Sequence, residues 1–378
     1  MSVYDAIVVG AGVEGSSAAY HLSKNGKRTL LLEQFPLPHS RGSSHGQSRI
    51  TRKSYGKDEF YTDMMMEAFP LWEQLEKESG TSLYRQTSLL LVSGPSDRNV
   101  EETQHALQTR NIPHQIIPSG RELKEKFPNL EYPDNYRFLL DYSGGLLYAD
   151  RAVKAFQNEF KRNGGILKDG EPMLNIYPGD IITVRTTEGE YRTHNLVLCP
   201  GPWAPKVLEK IGLNPPLKPI KVIACYWKEK TPGEHGSSRF PTIIHCGGDI
   251  YALPAYEYPG LFKLALHSGP ESNPDHRDAV DDGWILEKVQ KYVATHLPSL
   301  EPVPSVKENC MYTLTPDSNP IIDTHPKWKN IAFGVGFSGD GFKLAPVVGK
   351  LLCELVTGRT PSYSLEPFRL GRFSKSRL

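Results

Sequence analysis

The sequence predicts an α/β fold in which a nucleotide-binding domain is interleaved with an antiparallel-sheet domain. The apolar run Ala6 to Val9 leads into a glycine-rich turn, a small-residue helix and a second strand over Thr29 to Leu32, which is typical of a β-α-β unit. Alternating runs between residues 217 and 270, such as KVIACYW and LFKLALH, predict consecutive antiparallel strands. A helix is predicted over about Glu59 to Ser79. A strand over residues 331–336, a glycine-rich turn and a helix from about Lys343 to Val356 indicate that the chain returns to the first domain.

The composition is that of a neutral chain of about two domains. Its 378 residues include 44 Lys and Arg against 43 Asp and Glu, a formal net charge of +1. That balance argues against nucleic acid and anionic membranes as partners. No apolar run approaches the roughly 18 residues that a membrane span needs. The start MSVYDAIVVGAG has no basic leader, so no secretory signal is expected.

The cysteines indicate an intracellular protein without disulfides. The five residues are odd in number and widely spaced, and they have neither the pattern of a disulfide framework nor that of a zinc site. No metal site is therefore expected. Their positions are Cys199, Cys225, Cys246, Cys310 and Cys353.

The turn after the first strand carries a dinucleotide-binding fingerprint. Gly10 permits a tight turn, Gly12 lets a pyrophosphate approach the backbone, and Gly15 permits close packing of helix and strand. The helix N-terminus faces the phosphates. Glu33, at the end of the second strand, would accept hydrogen bonds from the adenosine ribose and argues against NADP. NAD and FAD both remain open on this motif.

A basic, acid-free loop follows over residues 36–57. It includes His45, Arg49 and Arg52, which would share one face if the segment from Gln47 onward were helical. Such a face could contact a flavin edge and an acidic substrate. The alternative is a solvated basic loop.

Two later segments and one cysteine favour FAD. One segment is the strand from Asn195 that runs into Pro-Gly-Pro-Trp203, and the other is the glycine-rich turn from Gly334 to Lys343. In many flavoproteins, segments of this kind bring the chain back to the flavin. Cys310 lies in ENCMYT, outside any metal-ligand spacing. The alternative to a role at the flavin is that Cys310 is a buried structural thiol.

Taken together, VVGAGVEGSSAAYHL, SSHGQSRITRKSYG, CMYTLTPDSNPIID and GFSGDGFKLAPVVG resemble the monomeric sarcosine oxidase family of amine-oxidising flavoenzymes, over essentially the whole chain. The likeness is strongest to its peroxisomal members, which oxidise L-pipecolate and sarcosine. The resemblance implies a Rossmann-like FAD-binding domain of the glutathione-reductase type, interleaved with an antiparallel-sheet α+β substrate domain.

The resemblance also implies where the domains lie. The FAD-binding domain would be discontinuous and would comprise residues 1–85, 146–216 and 310–378. The substrate domain would comprise residues 86–145 and 217–309. A monomer is expected on the family alone.

Roles for single residues follow from the resemblance, position by position. Cys310 matches the cysteine that bonds through sulfur to the 8α-methyl of one FAD per chain, and Lys263 matches the lysine that activates oxygen. Arg52 and Lys343 match the cationic pair that holds the substrate carboxylate. The flavin-proximal and pocket-lining matches are His45, Arg49, His267, Tyr251 and Tyr312. The residues expected to bind FAD are Gly10, Gly12, Gly15, Glu33, Ser43, Ser44, Arg49, Met173, Gly339 and Lys343.

Lys263 is also unusual as a residue, because a charged side chain within an apolar alternating strand is costly unless it has a partner. The alternative is a lysine that faces outward from the strand. For Arg52 the alternative is a phosphate or surface contact, and for His267 it is an ordinary core histidine.

Two positions depart from the bacterial sarcosine oxidases. Position 340 is Asp where those enzymes have His, and position 252 is Ala where they have Tyr. The loss of a tyrosine favours a cyclic imino acid over the small sarcosine.

The chain ends in Ser376, Arg377 and Leu378. Ser-Arg-Leu is a conservative variant of the C-terminal peroxisomal signal, so an import receptor and a peroxisomal location are expected.

The predicted activity is FAD-dependent oxidation of a secondary amino acid, L-pipecolate or sarcosine, at its C–N bond to an imine, with O2 reduced to H2O2. Other N-substituted amino acids, N-methylated or glycated, are alternative substrates. An NAD-dependent dehydrogenase and an inert flavin-binding protein are alternatives of other classes.

Overall fold

A computed structural model describes residues 3–236 and 240–373. It contains the predicted β-α-β unit, in which β1 (Tyr4–Val9) leads into α1 (Val13–Lys24) and then into β2 (Thr29–Leu32). The two strands pair in parallel and are almost wholly buried, as continuous apolar strands of parallel sheets are.

β1 lies inside an eight-stranded sheet with the order β10-β11-β12-β1-β2-β9. The second half of β12 also pairs in parallel with β19, and β18 pairs with β19. Because β1, β2, β9, β12 and β19 are parallel, their carboxyl ends meet at one edge, where ligands bind in such sheets. The remaining strands of this sheet are β9 (Ile166–Lys168), β10 (Met173–Tyr177), β11 (Ile182–Thr186), β12 (Glu190–Leu198), β18 (Ile321–Thr324) and β19 (Ile331–Val335).

Three helices contribute to one apolar core with α1 and the parallel strands. The approach of α8 to α1 is close because Gly349 has no side chain: a Cβ there would lie 2.2 Å from the Ser17 hydroxyl. The predicted helix of residues 59–79 is confirmed, and the late helix begins two residues earlier than expected, at Gly341. Besides α1 these helices are α2 (Glu59–Ser79), α5 (Ala149–Arg162) and α8 (Gly341–Val356).

The second sheet also has eight strands, in the order β17-β13-β16-β15-β14-β5-β7-β6, and all neighbours are antiparallel except β14 and β5. The consecutive antiparallel strands predicted for residues 217–270 are therefore confirmed. The strands are β5 (Leu89–Ser93), β6 (His114–Ile117), β7 (Arg137–Asp141), β13 (Lys218–Lys228), β14 (Thr242–His245), β15 (Ile250–Tyr258), β16 (Leu261–Leu266) and β17 (Val306–Leu314). The remaining helices are α3 (Asn99–Gln108), α4 (Gly120–Lys126), α6 (Ala204–Glu209) and α7 (Gly283–His296).

The segment from Gln47 onward is not helical, so the condition under which His45, Arg49 and Arg52 would share one face is not met. The segment forms β3 (Ser48–Thr51), which pairs with β8 (Gly145–Tyr148) in a three-stranded sheet completed by β4 (Tyr84–Gln86). There are two physical reasons. Ile50 and Thr51 are β-branched and favour a strand, and the segment pairs with the edge of β8. Arg49 and Arg52 therefore do not share a helix face.

Within residues 3–236 and 240–373, no helix combines the length and apolarity that crossing a bilayer requires. The same residues contain no group of three or more His, Cys, Asp or Glu side chains placed to hold a metal ion.

Candidate active site

A cleft of about 1610 Å³ begins at the glycine-rich turn after β1 and extends to β17. It is larger than the roughly 300–1,000 Å³ that holds a drug-sized ligand. Most of the predicted FAD-binding residues lie in its wall, namely Gly10, Gly12, Glu33, Ser43, Ser44, Arg49, Met173 and Gly339.

Each glycine of this turn is favoured there for a different steric reason. Gly10 has a φ of 97°, and a Cβ there would lie 2.3 Å from the carbonyl oxygen of Cys199. A Cβ on Gly15 would lie 1.9 Å from the Gly10 carbonyl oxygen, so a side chain would push α1 away from the turn. A Cβ on Gly12 would meet only the Ser44 hydroxyl, at 3.1 Å. The backbone at Gly12 therefore stays open to the cleft.

Glu33 and Ser44 complete the turn. The Glu33 carboxylate accepts hydrogen bonds from the N–H groups of Ala11 at 2.8 Å and Phe35 at 3.1 Å. The Ser44 hydroxyl accepts from the N–H of Val13 at 3.0 Å, which supplies the cap that Gly12 cannot provide. The open glycine backbone, the helix N-terminus and the oriented carboxylate together fit a dinucleotide such as FAD.

Cys310 lies on β17, beside this cleft. Its flanking residues Asn309 and Met311 line the cleft. Its sulfur lies 3.9 Å from the carbonyl oxygen of Ser43, another residue of the wall. The thiol is half-buried, so it is not a fully buried structural cysteine.

Arg49 and His45 tie the basic loop to β17. The Arg49 guanidinium donates to the carbonyl oxygens of Ser48 at 2.7 Å, Ser43 at 2.8 Å and His45 at 2.6 Å. The His45 ring lies 2.9 Å from the Asn309 carbonyl oxygen. Burial, and after it the charge of Arg49, lowers the pKa of His45 to about 4, so its ring is neutral at neutral pH.

A second cavity of about 220 Å³ adjoins the cleft, and Arg49, Tyr312, Gly339 and Phe342 line both. Its size suits a small amino acid. Seven candidates from separate parts of the chain meet in its wall: Arg49, Arg52, Tyr251, Lys263, His267, Tyr312 and Lys343.

Arg52 and Lys343 differ in what neutralises them. The Lys343 Nζ lies 2.5 Å from Asp340 Oδ1, and the Tyr55 hydroxyl donates to the same oxygen at 3.2 Å. The Arg52 guanidinium stacks over the Tyr55 ring at 4.3 Å, and its Nε is buried without a hydrogen-bond partner among the described residues. Burial alone would raise the pKa of Asp340, but Lys343 and then Arg52 lower it to about 2. The carboxylate therefore stays charged.

Lys263 is buried, which excludes the outward-facing alternative. Its Nζ donates to Glu257 Oε1 at 2.8 Å and lies 3.4 Å from both oxygens of Ser48. Burial lowers the pKa of Lys263, while the Glu257 carboxylate opposes that shift. The partner that a lysine in an apolar strand requires is thus present.

The aromatic wall of the small cavity is formed by His267, Tyr312 and Tyr251. The rings of His267 and Tyr312 are 5.1 Å apart, and the hydroxyls of Tyr312 and Tyr251 lie 3.4 Å apart. Burial lowers the pKa of His267, so the ring is neutral at neutral pH. A Cβ on Gly339 would lie 2.2 Å from this ring, so only glycine fits there.

Sequence reasoning missed Glu257, Tyr226 and Glu308, which surround Lys263. A signal was present, because Glu257 is itself an acid in the alternating strand IYALPAYEY, two residues before the hairpin that leads to Lys263. The predicted targeting residues Ser376, Arg377 and Leu378 lie outside the described part of the chain.

Comparison with known proteins agrees with this geometry. The family of FAD dependent oxidoreductases (DAO) matches residues 5–355. The chain is 49% identical to the peroxisomal sarcosine oxidase of Homo sapiens, over 98% of this chain and 96% of that protein. It is 31% identical to the monomeric sarcosine oxidase of Bacillus sp. (strain NS-129), over 98% and 97% of the two chains.

Among solved structures, the L-proline dehydrogenase from P. horikoshii superposes with a TM-score of 0.85 at 24% identity, over 100% of this chain and 99% of that one. This likeness supports the fold alone. The predicted flavoprotein fold and the resemblance are both confirmed. The chain belongs to the FAD dependent oxidoreductases and, within them, to the sarcosine oxidase family of flavin-dependent amine oxidases.

Proposed function

We propose that this protein oxidises secondary amino acids, L-pipecolate or sarcosine, at the C–N bond to an imine, with reduction of O2 to H2O2. The observation that carries the proposal is the small cavity of about 220 Å³, whose cationic residues Arg52 and Lys343 lie beside the larger cleft. An amino acid held there by its carboxylate would lie next to the shared wall of the two cavities.

FAD, when bound in the cleft, supplies the two-electron acceptor. The turn at Gly10 and Gly12, the Glu33 carboxylate and the N-terminus of α1 would hold its dinucleotide part. We place its covalent attachment at Cys310, because the sulfur lies beside the wall formed by Ser43 and Met311. The residues of 86–145 and 217–309, which form most of the second sheet, would be the substrate domain.

The substrate carboxylate would bind chiefly to Arg52. Its guanidinium is the less compensated of the two cations, because Lys343 is already paired with Asp340. Charge-assisted hydrogen bonds from a fixed guanidinium orient a carboxylate and so align the α-carbon. Ala252 is buried on β15 in the apolar core of the second sheet, and the described residues that line the small cavity do not include it. The room that the loss of a tyrosine was expected to leave is therefore not found at this position.

The products follow from the bond that is oxidised. Removal of two electrons and two protons from L-pipecolate across C–N leaves a cyclic piperideine carboxylate. The same change in sarcosine leaves an imine whose hydrolysis gives glycine and formaldehyde. In both cases the electrons and protons reach O2 as H2O2.

We further propose that the protein is a peroxisomal monomer. The proposal is supported by the terminal Ser-Arg-Leu, by the peroxisomal name of the human relative and by the monomeric name of the Bacillus relative. A fluorescent protein that carries the last ten residues should enter peroxisomes, and removal of Leu378 should abolish import. The measured mass in solution should be that of one chain of 42.3 kDa.

The activity is tested by a peroxide-coupled screen of purified holoprotein against L-pipecolate, sarcosine, L-proline, N-methyl amino acids and glycated amino acids. We expect peroxide with a cyclic imino acid as the best substrate. A glycated or acyclic N-methyl amino acid as the best substrate would replace the proposed substrate. Bound flavin without peroxide from any of these compounds would refute the oxidase activity.

A further inference from the structure

A line of hydrogen-bonded side chains leads outward from Lys263. Its Nζ donates to Glu257 Oε1 at 2.8 Å, and Glu257 Oε2 lies 2.5 Å from the Tyr226 hydroxyl. The same hydroxyl lies 2.8 Å from Glu308 Oε2, and Glu308 Oε1 accepts from the Tyr258 hydroxyl at 2.6 Å. Every step is of normal or short hydrogen-bond length.

Burial is greatest at Tyr226, in the middle of this line, and is lower at its outer end. Tyr226 is completely buried and Lys263 is 5% exposed, whereas Glu308 and Tyr258 are half-buried. Tyr258 precedes the exposed Pro259 at the β15–β16 hairpin. The line therefore connects the wall of the small cavity with solvent, although no water can reach Tyr226 directly.

The hydroxyl of Tyr226 has one proton and faces two carboxylates. It can donate to Glu257 or to Glu308, but not to both at once. Glu257 does not need Tyr226 as a hydrogen-bond donor, because its carboxylate already accepts hydrogen bonds from Lys263 and Ser48. A second, half-buried carboxylate beside the same hydroxyl adds a desolvation cost. The arrangement suits a group that passes a proton from one side to the other.

We infer that Glu308, Tyr226 and Glu257 relay protons from solvent to the ammonium of Lys263 during oxygen reduction. This inference rests on the proposed oxidase function. Reduction of O2 to H2O2 takes up two electrons and two protons, and the same numbers leave the amine when it becomes an imine. One N–H proton of Lys263 moves to the reduced oxygen. The Tyr226 hydroxyl then gives its proton to the charged Glu257 carboxylate, and Glu257 passes it to the neutral Lys263 amine. A proton from solvent reaches the Tyr226 oxygen through the Glu308 carboxylate.

Other groups lie close to Lys263 and Glu257 and influence their protonation. Arg49, from β3, opposes protonation of Lys263, while Glu257 favours it. Tyr251 approaches from the neighbouring part of β15 and interacts with Glu257. Burial would raise the pKa of Glu257, but Lys263 and the hydroxyl donors bring it below its usual value. Before the reaction, Lys263 and Glu257 therefore form a charged pair at the end of the hydrogen-bonded line that adjoins the small cavity.

The kinetic test uses Tyr226→Phe in the holoenzyme. This change keeps the ring and removes the shared proton. We expect reoxidation of the reduced enzyme by O2 to slow by about tenfold or more, with a changed solvent deuterium isotope effect. Anaerobic reduction by substrate should stay within about twofold of wild type. Tyr20→Phe is the matched control, since the Tyr20 hydroxyl is also buried, donates to Glu78 at 2.5 Å and lies beside Lys24.

A second readout does not depend on turnover. The ζ-carbon of labelled tyrosine shows a deuterium isotope shift in mixed H2O and D2O, from which the exchange rate of each hydroxyl follows. A relay predicts rapid exchange of the buried Tyr226 hydroxyl, a decrease of about tenfold in Glu308→Gln, and recovery in Glu308→Asp. The Tyr20 signal should not change.

These results separate the two proposals. Unchanged Tyr226 exchange in Glu308→Gln, or reoxidation of Tyr226→Phe at the wild-type rate, would overturn the relay while leaving the oxidase intact. Failure of every substrate in the peroxide screen would overturn the proposed function, and the exchange measurement would still decide whether protons pass along this line.

Discussion

The Lys343 ammonium lies 2.5 Å from the Asp340 carboxylate, three residues earlier at the start of α8. Arg52 also interacts with the Asp340 carboxylate but forms no ion pair with it, so of these two cations Arg52 is the less directly neutralised. The pair also places a negative charge where an incoming carboxylate would bind.

Asp340→Asn should strengthen carboxylate binding, because it removes that negative charge while keeping the side-chain size. We expect the KM for a secondary amino acid to fall by about three- to tenfold, consistent with a charge interaction of ~1 kcal/mol across a partly solvated site. Steady-state kinetics at neutral pH would measure it. A KM that rises would mean that Asp340 binds the substrate amine instead.

Arg52→Ala should raise the KM by about 30-fold or more, with a smaller effect on kcat, because a buried charge-assisted contact to the substrate is lost. Arg110→Ala is the control, since that guanidinium forms an ion pair with Asp63 at the surface and should leave KM unchanged. Equal KM values for the Arg52 variant and wild type would remove Arg52 from the substrate site.

Cys310→Ser should convert tightly held flavin into flavin that is released by acid. Wild-type protein precipitated with acid should give a yellow pellet, and the variant a colourless pellet with a yellow supernatant. Cys353→Ala, whose sulfur is buried beside Asn25, serves as the control and should keep a yellow pellet. A colourless wild-type pellet would refute the covalent link.

Lys263→Met should slow reoxidation by O2 by about 100-fold, since a preorganised charge near the reacting oxygen is removed. Reduction of the enzyme by substrate should change far less. Stopped-flow measurement of the two half-reactions compares them directly. Equal effects on both halves would contradict a role in the oxygen reaction.

Glu14→Gln should stabilise the protein at neutral and alkaline pH. Both carboxyl oxygens of Glu14 are buried without a hydrogen-bond partner among the described residues, and burial raises its pKa well above the usual value. A raised pKa means that the favourable contribution is present below the unfolded value of about 4.3 and is lost as pH rises through the folded value. We expect the variant to unfold about 2 °C higher than wild type near pH 8.

The same two proteins should unfold at equal temperatures at about pH 3, well below the unfolded pKa, because Glu14 is then protonated in both states. Thermal unfolding followed by circular dichroism at several pH values would reveal the difference. A constant offset between the proteins at every pH would show that packing, rather than ionisation, causes the effect.

Local patterns were sufficient for much of the fold. The glycine turn, the antiparallel strands within residues 217–270 and helix 59–79 were predicted because they depend on short-range sterics and on the spacing of apolar residues. The helix from Gln47 onward that the spacing of the basic residues would have allowed does not form, because the segment pairs with β8 as a strand. The residues of a local segment do not indicate which distant strand the segment will pair with.

The sequence alone determined the family, the dinucleotide turn and the candidate residues, since these are carried by residue types at fixed local spacings. Only the tertiary structure decided which charges neutralise one another. Asp340 pairs with Lys343 rather than with Arg52, and Glu257 rather than solvent holds Lys263. It also decided that Glu308 and Tyr226, which lie 82 residues apart in the chain, share a hydrogen bond. Such contacts depend on distances set by strand pairing and burial, which no spacing along a single chain specifies.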